Sequence, residues 1–337
     1  MIFFVVVLVF TAIAKEVEPP VFKISLDNPP EKRWTEVIAA KKPAMQNFIH
    51  EARILVGRNV IWGVGSFLKN GYYPLEIQQE IESIADLAEV SFEEALFSNF
   101  LYEFYVHCSS IVARDSEGKL IFGRNLDYNF GDLLSKVVVE LHVYREQKLL
   151  YKYVTFAGYV GVLTGMRENS FAISMDQRNM HDWNLVWEAF YISKGYTGPS
   201  LAIRYALENF SDYSEAKEYL ATVKLITNAY FIIGGLEGND GAVITRNRNY
   251  AADIWEIKDH TWYVAETNYD HWLPTPGKDD RRDPLLKLLD QVGSKDISEE
   301  KMYEILSTPP IYRLDNSTLY TTVMVPKTSY FFARIRH

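Results

Sequence analysis

From Trp34 to Phe104 apolar residues return every three or four positions, in WTEVIAAKKPAMQNFIHEARILVG, PLEIQQEIESIADLAEV and SFEEALFSNFLYEF, and that period predicts a run of helices. Ser91 and Glu94 have the spacing of a capping box at the start of the last of them. At Cys108 the period changes. SSIVAR, KLIFGRN, VVVELHVY, LLYKYVTFAG, VGVLTG and FAISM are short β-rich runs broken by turn residues such as DSEG, which predicts a strand meander over residues 108–175. Helices are predicted again over WNLVWEAFYI, PSLAIRYALENF and SEAKEYLATV, then strands over AYFIIGG, GAVITR, AADIWEI and TWYVAET. A helical stretch over 283–307 and two strands, LYTTVMV and YFFARIR, end the chain. Two batches of strands with helices before, between and after predict an α+β fold, two sheets packed together with helices outside. No internal repeat or flexible linker divides the chain.

Composition narrows the class. With 337 residues, 48% of them apolar and 14% aromatic, the chain can bury a large core. A net charge of −9 with both signs mixed along the chain excludes a nucleic-acid partner. The first fourteen residues, MIFFVVVLVFTAIA, read as a signal peptide cut after Ala14, because a membrane span needs roughly 20 apolar residues. The sequons at Asn209 and Asn316 fit glycosylation on the same secretory route, towards the lysosome or the cell exterior.

Cys108 is the only cysteine, and in a secreted chain an unpaired thiol is a reactive group, an intermolecular link or core filler. It stands where the helical segment ends and the first strand begins. If the His107–Cys108 bond is cut, Cys108 acquires a free α-amine, whose ordinary pKa of roughly 7.7–8.0 suits it to accept a proton from its own thiol. The thiol can also make that cut, by attacking the His107 carbonyl. A hairpin through DSEG brings Arg124 and Asp127 back beside Cys108, where Arg124 favours the thiolate and Asp127 holds the amine; a surface ion pair at a strand end fits those two residues equally. Asn268, at a predicted strand end, has an amide able to meet a developing oxyanion. The seven histidines form no HExxH pattern, so no metal site is expected, and IIGGLEGNDG reads as a hairpin turn rather than a phosphate loop, so no cofactor is expected either.

These stretches carry a family resemblance. The C-[ST]-S-I-V-A opening at Cys108, GRNLDY at 123–128, ITRNR at 244–248, ETNYDHW at 266–272 and DDRR at 279–282 resemble, in order and spacing, the acid ceramidase and N-acylethanolamine acid amidase family. These are lysosomal N-terminal-nucleophile hydrolases of fatty-acid amides. The resemblance, from about residue 30 to the C-terminus, implies an αββα sandwich made as a precursor. Self-cleavage before Cys108 would give a helical α subunit (15–107) and a β subunit (108–337) that stay associated. It further implies Cys108 as nucleophile, Arg124 and Asp127 as its orienting residues, Asn268 as oxyanion donor, Arg281 as a further site arginine and Tyr128 as a cleft residue. TFAGYVGVLTG, ADIWEI and the short Asp127-to-Asn268 spacing look more like the N-acylethanolamine branch, with ceramide hydrolysis as the alternative.

One position departs from the pattern. Gln177 stands where the family usually has a glutamate, keeping its shape but neither its charge nor its capacity to take a proton. Maturation then has to draw on Asp176 or another carboxylate, and a homologue that binds lipid without turnover is a further alternative. ILVGRNVIWGVGSF (54–67) and WNLVWEAFYI (183–192) place large apolar residues at helical spacing, a pattern that fits a core face and a face touching a membrane or micelle alike.

Overall fold

A computed structural model of the chain describes residues 16–69, 74–101, 106–128, 131–178, 190–275, 277, 281–315 and 317–336. The expected signal peptide, the sequon residue Asn316 and most of WNLVWEAFYI lie outside them. Strand β1 (Val21–Ser25) precedes helices α1 (Thr35–Ala52), α2 (Arg58–Lys69), α3 (Leu75–Ala88) and α4 (Phe92–Leu101). Next come β2 (Val106–Arg114), β3 (Leu120–Tyr128), β4 (Val138–Arg145), β5 (Lys148–Phe156), β6 (Thr164–Arg167) and β7 (Phe171–Gln177). Helices α5 (Pro199–Asn209) and α6 (Tyr213–Thr222) lead to β8 (Ala229–Gly234), β9 (Gly241–Arg246), β10 (Ala251–Glu256) and β11 (Tyr263–Glu266). Helices α7 (Arg282–Asp296) and α8 (Glu299–Leu306) and strands β12 (Thr318–Val325) and β13 (Tyr330–Ile335) close the fold.

The strands build two sheets, but not by batch. One has the order β1-β4-β5-β6-β7-β8-β9-β10 and the other β11-β2-β3-β12-β13, so the meander expected over 108–175 divides after β3. Period-two alternation explains the layers: Val112, Leu120 and Phe122 turn inward against Tyr230, Ile232 and Val243, whereas Ile111, Ala113 and Ile121 turn outward against α7 and α8. On the far side of the larger sheet, α1, α3 and α5 press Ile38, Ile81, Ile84, Ile203 and Leu207 into one continuous core with Tyr151, Tyr153 and Phe171. The result is four layers, helix, sheet, sheet, helix.

Several local expectations are met and two are corrected. Ser91 and Glu94 form the capping box, with Ser91 N–H to Glu94 Oε2 at 3.0 Å and Glu94 N–H to Ser91 Oγ at 3.3 Å. IIGGLEGNDG closes the β8–β9 hairpin, Gly235 N–H bonding Asp240 O at 2.7 Å. The N-terminal segment is not wholly helical, because VFKIS pairs parallel with β4, Val21 opposite Glu140. VGVLTG is not a strand until Thr164, because Gly158 bends the chain at φ +84° after β5. The 54–67 stretch splits its faces: Ile61 is buried while Ile54, Val60 and Trp62 are exposed.

A buried ionic cluster joins the N-terminal helices to the sheets. Glu80, 1% exposed, accepts from Arg33 Nη1 at 2.8 Å, Trp34 Nε1 at 2.9 Å and both terminal nitrogens of Arg204 at 2.8 and 2.7 Å. Such a charge is tolerable inside only while every partner is present. Glu80→Ala is expected to cost about 3 kcal/mol in urea unfolding, because it removes the carboxylate that Arg33 and Arg204 share and leaves them only Glu76 and Glu208 respectively, whereas Glu304→Ala, in an exposed ion pair with Lys301, should leave the midpoint where it is.

Candidate active site

The β2–β3 ladder sets the site. Cys108 pairs with Leu126, Ser110 with Arg124 and His107 with Asp127. Directly opposed residues share a face, so Cys108 and Arg124 both turn into the gap between the sheets, while Asp127 turns to the other side with His107. Gly123 is needed just before Arg124: a Cβ there would lie 2.5 Å from Met302 Sδ, so glycine lets α8 close on β3. Asn125 fastens the end of that helix, donating to Leu306 O at 2.7 Å and Ile311 O at 3.0 Å.

Cys108 is held on three atoms. Its thiol sulfur accepts from Arg124 Nη2 at 2.9 Å, its N–H donates to Asn268 Oδ1 at 2.8 Å, and its carbonyl accepts from Arg281 Nη1 at 2.5 Å. Burial pushes the thiol well above its ordinary range, against the pull of Arg124, in this uncut chain. Arg124 has no exposed surface; its other terminal N–H groups go to Leu163 O, Thr164 Oγ1 and, at 2.7 Å, Met175 O, while its Nε is buried without a hydrogen-bond partner among the described residues. Arg281 spans the far side, donating also to Thr267 O at 3.1 Å and Asn268 Oδ1 at 3.0 Å and lying 3.5 Å from Asp127 Oδ2. Thr318 Oγ1 donates to Asp127 Oδ1 at 2.7 Å. Asp127 therefore meets Cys108 through Arg281 rather than at the sulfur.

Asn268 reaches this point because β11 ends in a bend. Its φ is +73°, and the turn is tied by Glu266 Oε1, which accepts the N–H groups of Thr267 at 2.9 Å and Tyr269 at 2.8 Å. The Asn268 amide donates to Gln177 O at 2.9 Å. Arg178 then locks ETNYDHW to ITRNR, gripping Asp270 at 2.7 and 2.8 Å and Asn247 Oδ1 at 2.8 Å. Tyr128 and Gln177 are buried, as is Cys108 itself, and a cavity of about 360 Å³ under α3 and α5, lined by Ile77, Ile81, Tyr159 and Leu201, reaches none of the three. Asn209 is exposed at the end of α5.

Two further carboxyls face the site: Asp176, the carboxylate the sequence offers beside Gln177, and Glu266, which opens ETNYDHW without an assigned role. Asp176 Oδ1 accepts from Ser110 Oγ at 2.8 Å and lies 3.9 Å from Arg124 Nη2, while Glu266 sits opposite Ser110 in the β2–β11 ladder. One oxygen of each, Asp176 Oδ2 and Glu266 Oε2, is buried without a hydrogen-bond partner among the described residues. Burial pushes Glu266 up to about 8, helped by the neighbouring Asp176, and pushes Asp176 up to about 6 against the attraction of Arg124. Their signal in sequence is a carboxylate inside an apolar run, as in FAISMD and WYVAE.

Comparison with known proteins agrees with these motifs. Residues 108–283 match the model for linear amide C–N hydrolases of the choloylglycine hydrolase family. Residues 17–70, in the segment expected as an α subunit, match a model described as the beta subunit of N-acylethanolamine-hydrolyzing acid amidase. The N-acylethanolamine-hydrolyzing acid amidase of Rattus norvegicus is 37% identical over 317 residues, covering 91% of this chain and 85% of that one. Acid ceramidase of Bos taurus is 35% identical over 329 residues, covering 90% and 83%. A solved Caenorhabditis elegans N-acylethanolamine-hydrolyzing acid amidase ortholog aligns at a TM-score of 0.59 and 37% identity, over 65% of this chain and 93% of that one.

The raised carboxyls give a stability signature. Both are favoured neutral in the fold, so their contribution is complete below the ordinary carboxylate range of about 4 and is lost as pH rises through about 6 and about 8. Glu266→Gln keeps an acceptor for Thr267 and Tyr269 and removes one titration. Urea unfolding is expected to find this variant more stable than wild type by roughly 1–3 kcal/mol near pH 8.5 and equal to it near pH 4, whereas a difference independent of pH would contradict the assignment.

Proposed function

Because the chain belongs to the linear amide C–N hydrolases of the choloylglycine hydrolase family, alongside N-acylethanolamine-hydrolyzing acid amidases and acid ceramidases, we propose that it converts N-acylethanolamines to fatty acid and ethanolamine, with Cys108 as nucleophile once the chain has cut itself at His107–Cys108. The observation that carries this reading is the grip on Cys108, a guanidinium at its sulfur and separate partners at its nitrogen and carbonyl.

In the cut, Sγ attacks the His107 carbonyl carbon and the C–N bond breaks. The proton lost from sulfur ends on the Cys108 nitrogen, leaving a thioester that water opens to the His107 carboxylate. The new α-amine, still facing Asn268 Oδ1, accepts the thiol proton in turnover. Sγ then adds to the substrate amide, the amine protonates the departing ethanolamine nitrogen, and water hydrolyses the acyl thioester. An amide nitrogen carries two hydrogens, so Asn268 Nδ2 can meet the oxyanion with the one not given to Gln177 O. Asp127 acts through Arg281, holding the Cys108 carbonyl in place.

A secretory and lysosomal route is part of this reading, on the strength of the apolar N-terminus. No helix among the described residues is long and apolar enough to cross a membrane. Ile54, Val60 and Trp62 are exposed apolar side chains available for transient contact with a lipid surface, the source of a fatty-acid amide.

Incubation of purified full-length protein at acidic pH, followed by intact-mass measurement and N-terminal sequencing, is expected to yield a fragment beginning at Cys108. Cys108→Ala should remain a single chain and turn over no substrate, and amidase activity retained in that variant would exclude the mechanism. Assayed side by side, N-palmitoylethanolamine is expected to be hydrolysed faster than a ceramide of equal acyl length. The reverse order would assign the protein to ceramide, and cleavage without turnover of either would assign it to lipid binding.

A further inference from the structure

The loop between β5 and β6, residues 157–163, has no regular structure, yet several of its backbone groups are hydrogen-bonded. Ala157 N–H bonds Val137 O at 2.8 Å, Tyr159 N–H bonds Phe156 O at 3.0 Å, and Val162 N–H bonds Ser200 O at 3.1 Å. The apex is gripped by one side chain: Asn99 of α4 donates from Nδ2 to Gly158 O at 2.9 Å and accepts at Oδ1 from Val160 N–H at 2.8 Å. Gly158 lies so close to the N-terminal helices that a Cβ would stand 2.6 Å from Met45 and 3.1 Å from Ile84. Val160 O accepts from Arg204 Nη1 at 3.1 Å, and Arg204 is itself held by Glu80. The loop ends at Leu163, whose carbonyl accepts both from Met175 N–H at 3.1 Å and from Arg124 Nη1. Thr164, the next residue, supplies another acceptor to the same nitrogen.

We infer that Asn99 is a positioning residue for the nucleophile: it fixes the 157–163 loop so that Leu163 O and Thr164 Oγ1 hold Arg124 with Nη2 on the Cys108 sulfur. Hydrogen bonds run from Asn99 to Gly158 and Val160, and, after two further residues of backbone, from Leu163 to Arg124 and Cys108. Asn99 lies before the proposed cut and every other member of that line lies at or after it. The N-terminal fragment would then complete the active site of the other fragment in trans, beyond covering its apolar face. This inference rests on the reading of Cys108 and Arg124 as the reacting pair.

Asn99→Ala in the self-cut protein removes both bonds to the loop. It is expected to lower kcat for N-palmitoylethanolamine at least tenfold with KM within twofold of wild type, and to slow alkylation of Cys108 by iodoacetamide by a similar factor. Asn99→Asp keeps the acceptor for Val160 N–H, loses the donor to Gly158 O, and is expected to fall between. It carries the test if the alanine variant does not fold. Gln46→Ala, which deletes a 2.9 Å bond to Ala88 O within the same helical layer, should keep wild-type values. Wild-type kcat and alkylation in a folded Asn99 variant, or an equal loss in Gln46→Ala, would overturn the inference. If wild-type protein is cut but hydrolyses no amide, the functional reading fails separately, and the alkylation rates alone decide the role of Asn99.

Discussion

A guanidinium with no exposed surface is the constraint around which this molecule is arranged. Arg124 sits between two sheets, where an ion without partners is costly, and it needs acceptors from several directions. The Cys108 sulfur, the Leu163 and Met175 carbonyls and the Thr164 hydroxyl supply them from β2, the 157–163 loop, β7 and β6. Five parts of the chain, counting β3 itself, must therefore arrive together before the charge is tolerable. The same convergence places a cation on the one thiol in the chain.

The N-terminal third is bound into this arrangement. β1 extends the larger sheet by parallel pairing with β4, Glu80 supplies the carboxylate for Arg204, and the apolar faces of α1 and α3 share a core with β5 and β7. If the chain is cut at His107–Cys108 as proposed, contacts of this kind would hold the two pieces together once chain connectivity no longer does. The buried Glu80 cluster also resists slippage between the layers, since two charged groups that match in one position match in no other.

Much of the site was legible because its geometry is local. The DSEG turn sets the β2–β3 register, and that register alone brings residues 124 and 127 back to 107 and 108. The alternation also contains the fact that Asp127 points away from the thiol, since its cross-strand partner is His107 and not Cys108. Long-range features were not legible. VFKIS is five residues long with mixed burial and pairs with a strand more than a hundred residues away, so its own pattern carries little strand signal. Asn99 reads as an ordinary polar position in SFEEALFSNFLYEF, and only its partners at Gly158 and Val160 distinguish it. Asp176 was legible only as a carboxylate next to Gln177, and Glu266 only as the first letter of ETNYDHW. Their importance lies in what faces them from the other sheet.

The enclosure of Cys108 bears on how such a protein survives its own synthesis. Oxidation and disulfide exchange both start from a thiolate that a reagent can approach, and exchange requires a second sulfur in line with the first. With 0% of the residue exposed and its thiol held far from ionisation by burial, the folded chain gives an oxidant or a second thiol nothing to attack. If the chain is cut before Cys108 as proposed, the same burial would keep the sulfur reduced up to that point.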